Sequence, residues 1–242
     1  MKIKEPRFGT KKIADKIRGS FSHKEGSQHI AMRTAVSGLM RLLKREEPKS
    51  ILEIGAGIGT LTYTTIQTLA RHGIEDYRYM CVENNEYCKQ RLEENLQAMM
   101  ARITMVDGVQ FLPSVPESFD FMILDGGDHD DPSLFARLSD GATVFIEGGR
   151  AKQAAVLQTV LGDRPFVKAV VRTSQIKNIV DQSVKWEKGY RVYKLNPGHM
   201  DRGYFWLLNL KEKIRLRLRR YIYINPLGEV NVDLKNVGRN RN

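Results

Sequence analysis

The chain is 242 residues long, enough for one α/β domain with appendages and for a sizeable core without disulfide support. Its net charge of +11 lies at the ends: residues 1–24 carry eight Lys/Arg against two Asp/Glu, residues 200–242 carry ten against four, and the middle is close to neutral. Two cysteines, a polar first 24 residues and the lack of a long apolar run exclude a disulfide scaffold; no secretory leader or membrane span is expected, and a reduced, cytoplasmic compartment is.

Residues 1–26 read as a loose basic arm. Ser27 is the expected cap of a helix carrying Ile30, Val36, Leu39, Met40 and Leu43 on one face and closing at Glu46-Glu47-Pro48. A buried strand follows at 50–54, then a helix over 60–71 closed by Gly73, a strand at 77–82, and an amphipathic helix over 85–100. Strands at 103–106 and 119–124 come next. Asp131-Pro132 joins an N-cap to a proline at the first turn, and so predicts a helix start. A strand at 142–146, a helix over 150–161 closed by Gly162, and strands at 166–171 and 190–195 complete the pattern. This alternation, with continuous apolar strands, predicts an α/β fold: a doubly wound, mostly parallel seven-stranded sheet spanning residues 27–197.

Residues 198–242 form a basic C-terminal extension. Ile214–Arg220 alternates apolar and basic residues, which reads as a strand with guanidinium groups on one face. It suits a sheet edge, a partner or an anionic surface. Phe205-Trp206-Leu207-Leu208 suits a helix or an interface, and the apolar groups from Trp206 onward make a homodimer plausible.

In sheets of this kind ligands bind beyond the carboxyl ends of the strands. Ile51–Thr60 is a buried strand ending near an acid, then three alternate glycines and a helix start. Gly55, Gly57 and Gly59 allow a sharp turn and close approach to a ligand, and the amides of the next helix can receive a polar group. A nicotinamide dinucleotide site has a similar layout, with an acid about 20 residues on. Acids recur at the ends of the next apolar runs, as Glu83, Asp107 and Asp125. A strand-end carboxylate accepts two hydroxyl donors and therefore suits a ribose. The GxGxG spacing and the preceding Glu53 depart from the dinucleotide pattern, which runs GxGxxG.

Over residues 27–195 the chain resembles the class I S-adenosylmethionine-dependent methyltransferases. The resemblance rests on Glu53-Ile54-Gly55-Ala56-Gly57-Ile58-Gly59, Glu83-Asn84, Asp107-Gly108 and Leu124-Asp125. It implies a Rossmann-like methyltransferase fold with S-adenosylmethionine as cofactor. It also implies that Glu53, Gly55, Ala56, Gly57 and Gly59 cradle the methionine portion and ribose. Glu83 and Asn84 would then bind the ribose hydroxyls, Asp107 and Gly108 would meet the adenine, and Asp125 would close the site.

Asp125-Gly126-Gly127-Asp128-His129-Asp130-Asp131 is similar to the Asp-Gly-Asp-His segment of small-molecule and sugar O-methyltransferases, with one glycine more. That implies catalytic roles for Asp125, Asp128 and His129, the histidine as a base near neutral pH. A magnesium ion held by Asp125 and Glu147 is the other means of acidifying a hydroxyl. Metal-dependent members, however, carry Asp-Asn or Asp-Asp where this chain has Glu147-Gly148. Three functions stay open. The first is an O-methyltransferase for a small-molecule or saccharide hydroxyl. The second is a nucleic-acid methyltransferase whose basic ends grip phosphates. The third is a non-catalytic protein whose extension meets a partner or a membrane surface. No Asn/Asp-Pro-Pro-Tyr/Phe element follows the fourth strand, which argues against methylation of a base amino group.

Overall fold

The computed structural model describes residues 9–114, 118–126, 131–172, 175–177, 184–186, 189–219, 222–224 and 230–232. Its main sheet comprises β1 (Ser50–Ile54), β2 (Arg78–Val82), β3 (Thr104–Val106), β4 (Phe119–Leu124), β5 (Leu138–Glu147), β6 (Phe166–Val171) and β7 (Tyr190–Leu195). The spatial order is β3-β2-β1-β4-β5-β7-β6. The pairs from β3 across to β5 are parallel, and β7 runs antiparallel between β5 and β6. The chain therefore winds outward from β1 to β3 and crosses back to β4, leaving a switch point between β1 and β4.

Both faces are covered, which is why the central strands lack polar alternation. On one face Ile51, Phe121 and Ile123 pack with α1 (Thr10–Ser22), α2 (Arg33–Glu46), α3 (Thr60–Arg71), α4 (Glu86–Leu96) and α6 (His199–Arg219). On the other, Leu52, Met122 and Leu124 pack with α5 (Ala151–Leu161) and the 3-10 turn Pro132–Arg137. The predicted strands and most helices form where expected.

The differences have physical causes. From Thr10 on, the expected loose arm is a helix, because Ala14, Ile17 and Phe21 lie on one helical face and bury against the core between exposed lysines. Ser27 does not cap α2. Its hydroxyl donates to the Ser22 carbonyl within a short 3-10 turn, and α2 begins only at Arg33. Asp131 is an N-cap, accepting from Ser133 N–H at 2.9 Å, but its segment stays 3-10 and leads straight into β5. That strand starts at Leu138, four residues earlier than its apolar run.

The extension corrects the strand reading of Ile214–Arg220: it is helical to Arg219. Leu, Lys and Arg are good helix formers. The helix is anchored through Phe205, buried in the core, and through Glu212, which accepts from Arg172 N–H just past β6. Beyond it, Ile222–Ile224 pairs antiparallel with Val230–Val232. Among the described residues no helix is long and apolar enough to cross a membrane.

α2 meets the sheet at Gly38, under the Tyr190 ring, which stacks on Phe145 at 4.9 Å. A Cβ at Gly38 would lie 2.3 Å from Tyr190 Cε1. Alanine in a helix interior ordinarily gains about 1 kcal/mol over glycine, whereas overpacking a filled core costs about 1–3 kcal/mol. Gly38→Ala should therefore lower the unfolding free energy in urea, and a rise would show that the Tyr190 ring moves aside freely.

Candidate functional site

The three glycines do what their spacing predicts. Gly55, Gly57 and Gly59 have φ of 81°, 54° and 92°, a region unfavourable for residues with a Cβ. Gly55 N–H and Ala56 N–H donate to the Val82 carbonyl at 2.9 and 3.3 Å, tying the loop to the end of β2. On the other side, Asp125 and Gly126 N–H donate to the Ile54 carbonyl at 2.9 and 3.0 Å. The loop is thus clamped between β2 and β4, at the switch point.

Glu83, almost fully buried at the end of β2, makes the second clamp. Its Oε2 accepts from Gly57 N–H at 2.8 Å, and its Oε1 accepts from the Asn84 and Asn85 amides at 3.1 and 2.9 Å. A carboxylate has four lone-pair directions, so capacity for further donors remains. Asn85 then caps α4, accepting from Cys88 N–H at 3.1 Å.

A cleft of about 260 Å³ opens above this loop. Its walls are Ala56, Gly57, Thr60 and Asp125 from the strand ends, Asn85, Tyr87 and Cys88 from the start of α4, and Gly26, Gln28, Ile30 and Ala31 from the segment before α2. Three features fit a donor with an amino-acid end. The Thr60 hydroxyl is buried with no hydrogen-bond partner. The N-terminus of α3 is capped by Gly59, which brings no side chain to its amides. A Cβ at Gly57 would meet nothing, so the loop leaves open space for a ligand.

The remaining expected residues fall in different places. Glu53 lies below the loop, fully buried, accepting from Thr62 Oγ1 at 2.8 Å and from the Tyr79 hydroxyl. Burial, opposed by those hydrogen bonds, pushes its carboxyl up to about 7. Its contacts make it a support for the loop. Asp107 is exposed and pairs with Lys89 at 2.8 Å, and Gly108 next to it turns with φ of 98°. Asp128 and His129 lie outside the described residues.

Asp125 and Glu147 do come together, at the ends of β4 and β5. Their side chains hydrogen-bond to each other, and Met32 N–H points at Glu147 Oε1 from 3.4 Å. Burial raises the proton affinity of both acids; Asp125 raises that of Glu147 further, while Arg150 and the hydrogen bond with Glu147 hold Asp125 lower. The positive charge at the pair is Arg150, whose Nη2 is 2.7 Å from Asp125 Oδ1 and 3.9 Å from Glu147 Oε2. A guanidinium thus stands where a shared cation would, and among the described residues no group of three His, Cys, Asp or Glu could hold a metal. Among the described residues, Asp125 and Glu147 beside that guanidinium do not make a magnesium site.

Sequence reasoning missed Arg150, although it follows Glu147 by three residues across the Gly148-Gly149 turn, where Gly148 has φ of 72°. It also missed Thr60, Tyr87 and Gln28, which carry no motif and reach the cleft only through packing.

Residues 33–125 match a protein-family model described as "Putative S-adenosyl-L-methionine-dependent methyltransferase". No curated protein sequence matches the chain. Among solved structures, the fold is similar to the O-methyltransferase TomG of Streptomyces achromogenes, solved with SAM (TM-score 0.57, 14% identity, 81% of this chain and 93% of that one). It is also similar to the O-methyltransferase of Bacillus cereus, solved with SAH (0.56, 16%, 80% and 94%). A third is the precorrin-6y C5,15-methyltransferase of Geobacter metallireducens (0.53, 14%, 71% and 93%). At these identities the likeness shows the fold. Together with the family match, it supports the class I S-adenosylmethionine-dependent methyltransferase family.

Glu53 predicts a pH dependence. Its raised proton affinity contributes stability that is fully present below the unfolded carboxyl range and lost as pH rises through about 7. Glu53→Gln keeps an acceptor for Tyr79 and Thr62 but does not ionise. Between pH 5 and pH 9, the wild-type melting temperature should fall relative to the variant by on the order of 5 °C; parallel curves would show that Glu53 does not titrate in that window.

Proposed function

We propose that this S-adenosylmethionine-dependent methyltransferase methylates a hydroxyl of a small molecule or sugar. When bound, the donor supplies an electrophilic methyl group on a sulfonium. The chain's part is to align the acceptor, exclude water and take the hydroxyl proton. In this reading Gly55, Ala56, Gly57, Gly59 and Thr60 hold the amino-acid end of the donor. Glu83 and Asn84 hold the ribose, and Asp107 and Gly108 meet the adenine. Residues 27–197 form the catalytic unit.

The observation that carries the hydroxyl reading is Asp125. It lines the donor cleft and belongs to a buried acid pair with raised proton affinity. A more basic carboxylate is a better acceptor for a hydroxyl proton near neutral pH. Arg150 orients Asp125 through their ion pair, and the Glu147 side chain is hydrogen-bonded beside it. Asp128 and His129 are assigned beside Asp125 on the sequence motif alone, as acceptor anchor and second base. The fold's likeness to two solved O-methyltransferases supports the reading, and no step is routed through a metal.

Calorimetric titration of the purified chain with S-adenosylmethionine should show binding, weakened about 10- to 100-fold in Glu83→Ala by loss of charge-assisted hydrogen bonds. Asp125→Asn and His129→Ala should keep donor affinity while losing about 100-fold in turnover on a panel of hydroxyl acceptors. Chelators should leave turnover unchanged. Full turnover in both variants would sink the assignment, and absent donor binding would move a scaffold role to the front.

A further inference from the structure

The outer face of α6 plays no part in the site or the core. Met200, Trp206, Leu207, Leu210 and Ile214 are its exposed apolar side chains, Trp206 at 63% and Leu207 at 57% exposure. At about 100° per residue they form one continuous stripe roughly 120° wide. Cations border it on both sides, Arg202 and Lys213 along one edge and Lys211 along the other, and Arg217 follows on the same face past Ile214, all exposed. Among the described residues none of these four has an ion pair, whereas Arg215, on the inner side, bonds Glu212 and the Arg172 carbonyl. The extension as a whole, residues 200–242, is +6.

We propose that this face is a docking surface for an anionic lipid bilayer. The helix lies in the interfacial plane, with its aliphatic stripe at the acyl boundary and its cations on the headgroups. Trp206 matches the headgroup level, where an amphipathic ring is most favoured. Charge complementarity selects this occupant over the others. Two copies meeting on the stripe would oppose Lys and Arg to Lys and Arg, and five side chains fall short of the roughly 800 Å² per partner of a stable interface. A nucleic acid would engage the cations but leave Leu207, Leu210, Ile214 and Met200 without apolar contact. Of these three, a lipid surface takes both halves of the pattern.

The test is co-sedimentation of the full chain with phosphatidylcholine vesicles, with and without phosphatidylglycerol. The expected result is binding to the phosphatidylglycerol vesicles at least about tenfold tighter than to the neutral ones, weakening with salt. Leu210→Glu and Lys213→Glu should each reduce that binding at least about tenfold, with melting temperature and helicity unchanged. Four results would overturn the proposal. One is no binding to either vesicle. Another is equal binding by the wild type and both variants. A third is a dimer, seen by sedimentation velocity, that Leu210→Glu dissociates. The last is RNA binding that survives Leu210→Glu while vesicle binding is absent.

Discussion

The site depends on two backbones touching at the switch point. The loop after β1 and the loop after β4 run so close that a Cβ on Gly55 would lie 2.3 Å from Gly126 N. Removing that one carbon lets the Asp125 and Gly126 amides reach the Ile54 carbonyl. The glycine loop and Asp125 are then held at one separation by hydrogen bonds between neighbouring strands. No flexible side chain sets the spacing, and such rigidity is what an in-line transfer demands. The parallel order β2-β1-β4-β5 brings the ends of four strands to one edge, so Glu83, the glycine loop, Asp125 and Glu147 follow from a single topological fact.

Four buried carboxylates at this edge are satisfied in three ways. Glu83 is taken up by three backbone amides, so it shapes the glycine loop directly. Glu53 is met by hydroxyls and a thiol, which only partly offset the burial that raises its proton affinity, and it stands as a buried strut. Asp125 and Glu147 are hydrogen-bonded to each other beside a guanidinium. Only this last arrangement combines access to the cleft with a carboxyl group able to change protonation near neutral pH, and chemistry is assigned there for that reason.

The extension is coupled to this edge. Asn209 Nδ2 donates to the Lys168 carbonyl, and Glu212 and Arg215 engage Arg172, so α6 advances along β6 toward its carboxyl end. β6 and β5 share one direction because both are antiparallel to β7. The carboxyl end of α6 therefore reaches the side of the sheet that carries the cleft. A helix held on a lipid surface would keep that side near the bilayer.

Much of this was legible in the chain. Unbroken apolar runs ending in acids, and glycines at alternate positions, determine a doubly covered parallel sheet and a loop able to approach a ligand, because burial and φ are local demands. α1 was hidden because Asp15, Lys16 and Arg18 separate its three core residues. Ile214–Arg219 misled because strict alternation also occurs by chance in a helix anchored elsewhere, here by Phe205 and Glu212. The sequence by itself determined which strands end in acids, the glycine turn and the charge of the two ends. Only the tertiary structure decided that Glu53 is a strut, that Arg150 supplies the cation between Asp125 and Glu147, and that the last helix has a bare face. Each of these depends on which side chains meet across distant strands, and packing sets that where periodicity cannot.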